Sequence, residues 1–516
     1  MIRTFVVAIS GAMLGVGLVA ASARADVELP AILSSHMVLQ REQPVPIWGS
    51  AEPGETVTVT FRDQKKTAVA DPQGAWLVRL DSLTAGGPAT LTVSGSNTIT
   101  LEDVLVGEVW IGSGQSNMAG AVHGYEAKDP ELASLVAAGP YPRIRLARAT
   151  GGWKPADAQS IADFSALLFP FGVKLQRELD VPVGLMQGAV GGTPSCRWLT
   201  AEMFAADALC TEQVAQSQRR YDPARAQRNY EAALERWEVA TEKAKVEKAR
   251  APRKPDPPAA PGHVQSGRFG NLYDEHIKPL VPFAVRGVLW DQGESQTAVE
   301  GVDQFAVMGA LIHGWRQAWN SDFPFLTVQK PSGGGPAFDP ADPITRGAEA
   351  FAPLPADVPR PLPKYPADHL RLREHPATFL VTATDLEAGT HPTNKSGYAY
   401  RAARVALGGV YGRHVAIYGP TYASHAVDGA QLRVTFAHVG SGLRFKHGEK
   451  LQGFAIAGRD RTFHWAEATI AGDSVLLHSD KVAAPVAVRY AWAQPHPWAN
   501  LFNADGLPAL SFSIGQ

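Results

Sequence analysis

The chain has 516 residues, 45% of them hydrophobic, with 50 acidic against 48 basic side chains. That length suits about three domains, and a net charge of −2 excludes the basic footprint that binding to nucleic-acid phosphates requires. Charged residues make up only 19%, while the 49 glycines and 39 prolines exceed their usual combined share of ~12%. This composition argues against coiled coil and disorder and favours turn-rich β structure.

At the N-terminus Arg3 precedes an apolar, small-residue-rich run at 5–20, and Ala23-Arg24-Ala25 follows as an A-x-A cleavage site. An export leader is therefore expected, with the mature chain starting at Asp26 in a periplasmic or secreted location. The run is short for a ~20-residue membrane span, and no later stretch is long and apolar enough to cross a bilayer. Cys196 and Cys210 would then lie where pairing is allowed, and the sequence leaves open whether they pair.

From 31 to about 104, short β-type runs at 45–48, 56–61, 76–80, 89–93 and 98–101 alternate with Gly/Pro turn signals. This spacing predicts a small antiparallel sandwich over 26–104. Residues 104–111 then form a continuous apolar run ending in Gly112-Ser113-Gly114, and similar runs recur at 181–186, 285–290 and 378–382. Apolar strands separated by helical stretches predict a parallel sheet covered on both faces, over 105–408. Ligands bind such sheets beyond the carboxyl ends of the strands, which places Ser116, Gly191, Gln292 and His391 on one rim.

Two insertions, at about 205–265 and 331–370, interrupt this unit. In the first, Asp222-Pro223 reads as an N-cap and N1 proline, with Tyr230, Ala233, Leu234 and Trp237 at helical spacing before a proline-rich stretch at 252–261. This reads as a solvated helix and linker. In the second, Ser332-Gly333-Gly334-Gly335-Pro336 lacks the Gly-Lys-Ser/Thr ending of a phosphate loop and is read as a plain loop. After 408 short β runs return, predicting a second β domain over 409–516.

Ser116 follows a strand and opens helix-compatible sequence, so its hydroxyl is expected at the rim beside backbone N–H groups. Met118 stands where the Gly-x-Ser-x-Gly elbow needs glycine, which excludes that elbow. A serine nucleophile needs a base. Of 15 histidines, His391 stands out, because it follows an apolar strand in Asp385-Leu386-Glu387-Ala388-Gly389-Thr390-His391. One of those two acids could hold the imidazole tautomer. Gly191-Gly192-Thr193 offers bare backbone N–H groups, and Gln292-Gly293-Glu294-Ser295 places polar side chains at the end of a buried strand.

The segments Gly114-Gln115-Ser116-Asn117-Met118, Gly191-Gly192-Thr193-Pro194, Arg286 to Ser295 and His391-Pro392-Thr393-Asn394-Lys395 together resemble the sialate O-acetylesterase group of the SGNH hydrolase superfamily. The resemblance extends to His36-Met37-Val38-Leu39-Gln40-Arg41 and to Asn500-Leu501-Phe502-Asn503 near the other end. It implies an α/β fold: a three-layer αβα SGNH esterase domain with a parallel sheet, flanked by N- and C-terminal β-sandwich-like domains. It further implies Ser116 as nucleophile and His391 as base, with an oxyanion hole from the N–H groups of Ser116 and Gly191 or Gly192 and the side chain of Gln292. Gln115, Asn117 and Glu294 would support these groups.

The superfamily's acid position, three residues before the histidine, is Ala388 here. Asp385, Glu387 or a backbone carbonyl would have to take over, with Asp385 the preferred candidate. Arg197 and Trp198 could grip a sugar or merely pack. No metal or organic cofactor is called for, and the implied substrate is an acetylated oligosaccharide or polysaccharide, either a sialoside or a plant hemicellulose such as xylan or xyloglucan. A non-catalytic carbohydrate-binding protein and an SGNH lipase or thioesterase are the alternatives.

Overall fold

The computed structural model describes residues 26–265 and 267–515, so the expected leader and its cleavage site lie outside the described residues. Six parallel strands make the central sheet: β1 (Thr98–Gly114), β2 (Tyr141–Arg148), β3 (Val183–Ala189), β4 (Gly287–Asp291), β5 (Phe325–Val328) and β6 (Thr378–Val381). Their order is β2-β3-β1-β4-β5-β6. All five residues of β4 and all four of β5 are buried, as expected of strands covered on both faces. The expectation of a parallel α/β sheet with additional β regions is met.

Helices α1 (Leu168–Leu179) and α3 (Lys395–Gly409) cover one face, where Phe171 of α1 sets its ring edge-on to Trp110 of β1. Helix α2 (Gln304–Trp319) covers the other, its Trp315 lying against Trp290 of β4 and Phe325 of β5. Its start is set by Asp303, whose carboxylate accepts the Ala306 N–H at 3.0 Å, and its end by Asn320 in the left-handed conformation.

The N-terminal β unit shares its apolar core with the α2 face of the sheet, for example through Trp48 and Trp153, which both meet Phe283. The link is covalent as well. The first part of β1 pairs antiparallel with Gly86–Ser94 of the β unit, and its last part pairs with β3 and β4. At the other end of the chain two four-stranded antiparallel sheets enclose a core of their own, where Phe436 of one meets Phe454 of the other.

The first insertion contains the helix Pro223–Val246, capped by Asp222. The proline-rich stretch folds back on it, with Trp237 Nε1 donating to the Pro252 carbonyl. The second insertion is largely irregular but is anchored: Phe338 packs on Phe502, and Trp465 donates to the Pro355 carbonyl, joining the central-sheet unit to the C-terminal sheets. Cys196 and Cys210 are buried free thiols, and burial pushes that of Cys196 up to about 12. Among the described residues no helix is long and apolar enough to cross a membrane.

Candidate active site

β1 stops at Gly114 because the chain must pass the backbone of β4 closely. The Gln115 N–H donates to the Asp291 carbonyl at 2.9 Å, and a Cβ on Gly114, whose φ is +124°, would lie 2.2 Å from that same oxygen. This approach delivers Ser116 to the start of a single helical turn, Ser116–Ala119. His391 arrives from the loop after β6, and its Nε2 lies 2.9 Å from Ser116 Oγ. Ser116, Gly191 and His391 line one open pocket of about 470 Å³, together with Tyr125 and Thr393.

Neither acid reaches the imidazole, which corrects the expected role of Asp385 or Glu387. Asp385 is fully buried and takes both ends of the Arg401 guanidinium on α3, at 2.9 and 2.7 Å. Glu387 instead ties its own loop, accepting from Thr393 Oγ1 and from the Asn394 N–H at 2.6 Å. The second ring nitrogen of His391 has no hydrogen-bond partner among the described residues.

The Gly191–Gly192 loop is pinned to the serine loop by the Val190 N–H, which donates to the Gly114 carbonyl at 3.1 Å. A Cβ on Gly191 would lie 3.4 Å from Ser116 Cβ, so the glycine loop packs directly beside the serine. Among the described residues the N–H groups of Ser116, Gly191 and Gly192 have no acceptor, which leaves them available to an oxyanion.

Gln292 does not join them, a second correction. Its amide hydrogens go to the Thr193 carbonyl at 3.3 Å and the Gln296 carbonyl at 3.1 Å, while its oxygen accepts from Ser195 Oγ and Gln304 Nε2. Gln292 thus braces the glycine loop from behind. Gln292→Leu removes these bonds and leaves the Thr193 carbonyl without its donor, while Ser195 and Gln304 still bond each other, and it is expected to lower stability by about 1–3 kcal/mol, seen as an earlier urea midpoint. An oxyanion donor would instead lose rate at unchanged stability.

Asn117 and Glu294 do meet: Asn117 Nδ2 donates to Glu294 Oε1 at 3.2 Å and to the Thr390 carbonyl at 3.0 Å. Gln115 Oε1 accepts the Ser295 N–H at 3.4 Å. Trp198 is fully buried, edge-on to Trp290, with Nε1 donating to Thr193 Oγ1, so it packs and cannot stack on a sugar. Arg197 donates to Asn271 and lines a separate shallow pocket with Arg268 and Glu275.

Two buried lysines that the sequence does not single out also reach this network. Lys330 is buried after β5 with Nζ 2.8 Å from Asp291 and 3.0 Å from Glu294; burial works against its ammonium, but these carboxylates outweigh it and hold the pKa above the ordinary value. Lys395 is 1% exposed, and its Nζ donates to Asn117 Oδ1 at 2.6 Å. A lysine closing an apolar strand was the available signal for the first.

Residues 106–250 match the family described as carbohydrate esterase, sialic acid-specific acetylesterase. The chain is similar to the sialate O-acetylesterases. It is 31% identical to the sialate O-acetylesterase of Rattus norvegicus over 339 residues, covering 58% of this chain and 59% of the relative. It is 25% identical to that of Pongo abelii over 517 residues, covering 89% and 86%. The chain spans 59% of the length of the rat and mouse sialate O-acetylesterases that it matches. In structure it is similar to a carbohydrate acetylesterase from Xanthomonas citri, with a TM-score of 0.71 and 28% identity, covering 95% of this chain and 99% of that one. The acetylesterase-type match begins within β1 and takes in both the Ser116 and the Gly191 loops, but not His391.

Proposed function

We propose that this protein is a serine esterase that removes O-acetyl groups from carbohydrate. The observation that carries this reading is the 2.9 Å contact between His391 Nε2 and Ser116 Oγ in an open pocket beside unpaired backbone N–H groups. Ser116 Oγ attacks the acetyl carbonyl carbon as His391 Nε2 accepts its proton, and the N–H groups of Ser116 and Gly191 receive the charge developing on the carbonyl oxygen. The intermediate collapses to acetyl-Ser116, and the protonated imidazole returns the proton to the departing sugar hydroxyl. Water then attacks the acetyl group with His391 again as base, releasing acetate and restoring Ser116. With no carboxylate on the imidazole, serine and histidine act as a dyad whose orientation comes from the loops that carry them.

The kinship with sialate O-acetylesterases and with a carbohydrate acetylesterase supports an acetylated sugar as substrate. Acetylated sialosides, xylo-oligosaccharides and xyloglucan fragments are the candidates, and acetate released from each by the purified protein decides among them. Sugar binding with no acetate release from any of them would overturn the reading in favour of a binding protein, and preference for long acyl chains would point to a lipase or thioesterase.

A further inference from the structure

Lys395 occupies a position that is unfavourable on two counts. It is the first residue of α3, where the helix end already carries partial positive charge, and it is 1% exposed. Burial lowers its pKa to about 7, with the Lys330 charge adding to that effect and Asp291, Glu294 and Glu387 opposing it. Its Nζ lies 4.5 Å from the Tyr125 ring centroid and donates to Asn117 Oδ1 at 2.6 Å.

As an ammonium, Lys395 can only donate. Its contact therefore fixes which way the Asn117 amide faces, oxygen toward Lys395, and leaves both amide hydrogens for Glu294 Oε1 and the Thr390 carbonyl. Asn117 directly follows Ser116, and Thr390 directly precedes His391. The Asn117–Thr390 bond thus joins the nucleophile's loop to the base's loop, next to an imidazole that no carboxylate orients.

We infer that Lys395 is a positioning residue: its buried ammonium locks the Asn117 amide so that this amide holds the Thr390–His391 peptide against Ser116. The inference rests on the proposed esterase reaction. A displacement of about 1 Å between reacting groups can cost about 10²-fold in rate, so loosening this strap acts on kcat and leaves the acetyl pocket intact.

The test compares Lys395→Met, Asn117→Ala, the double variant and Asn117→Asp with wild type, using p-nitrophenyl acetate. Lys395→Met is expected to lower kcat at least about tenfold with KM nearly unchanged, and the double variant to be no slower than Asn117→Ala. Asn117→Asp, which keeps a partner for Lys395 but cannot donate to Thr390, is expected to lose kcat as well. Wild-type kcat in Lys395→Met, or losses that multiply in the double variant, would overturn the inference. If Lys395→Met does not fold, wild-type kcat in Asn117→Asp overturns it.

The rate at which a fluorophosphonate labels Ser116 is measured in the same set, with Oγ displacing fluoride from phosphorus as His391 takes the proton. This rate needs only the dyad. A wild type that is labelled but releases no acetate defeats the proposed function alone, and the variants' labelling rates, expected to fall in the same pattern, still decide the role of Lys395.

Discussion

Ser116→Ala is expected to lower kcat for acetate release from p-nitrophenyl acetate at least about 10³-fold, with the unfolding midpoint unchanged. The side chain makes one polar contact, with His391, and faces an open pocket, so its hydroxyl contributes little to the fold. The loss should be nearly total for the covalent route. What remains would reflect the oxyanion N–H groups and binding alone, which can still assist direct attack by water. His391→Ala should fall to a similar level, and adding it to Ser116→Ala should cost little more, because two members of one relay act as a unit. Undiminished release in Ser116→Ala would refute the mechanism.

Asp385→Asn carries the second large effect, and of a different kind. Both Asp385 oxygens are held by the Arg401 guanidinium, which also donates to the Thr382 carbonyl, and the whole group is buried between β6 and α3. The burial of Arg401 works against its charge, but Asp385 more than restores it and holds its pKa above the ordinary value. Removing one partner of such a pair leaves an uncompensated buried charge and costs about 3–5 kcal/mol. Urea unfolding should therefore show a strongly destabilised protein whose folded fraction retains near-wild-type kcat. A catalytic aspartate would give the opposite pattern, unchanged stability with kcat down about 10⁴-fold. The two readings of Asp385 are separated by measuring both quantities on one variant.

The rim geometry was legible because strand ends in a parallel sheet converge, and Ser116, Gly191 and His391 each follow an apolar strand. The partner of His391 was not legible. Two acids lie within six residues of it, and which one faces a ring depends on what else competes for each; Arg401, sixteen residues beyond Asp385, captures it through tertiary packing. The role of Gln292 is hidden for a similar reason. A polar residue ending a buried strand signals a satisfied network, but the sequence does not say whether the partners are substrate or protein. Among the strands, β2 escaped notice because Pro142, Arg143, Arg145 and Arg148 break its apolar pattern, although Arg145 is buried beside Asp103. β5 is not legible because it has only four residues, Phe325–Val328, between Pro324 and the bend at Lys330-Pro331.

The 17-residue strand β1 has a mechanical consequence. Its front half is stitched into the N-terminal β unit, it bends at Asp103, whose φ is +53°, and its back half ends two residues before Ser116, so one continuous strand carries both the unit and the serine loop. Removing the front unit would strip β1 of its pairing with Gly86–Ser94 and leave the strand that carries Ser116 held by β3 and β4 alone. The front β unit is therefore part of the frame that holds the Ser116 loop in place.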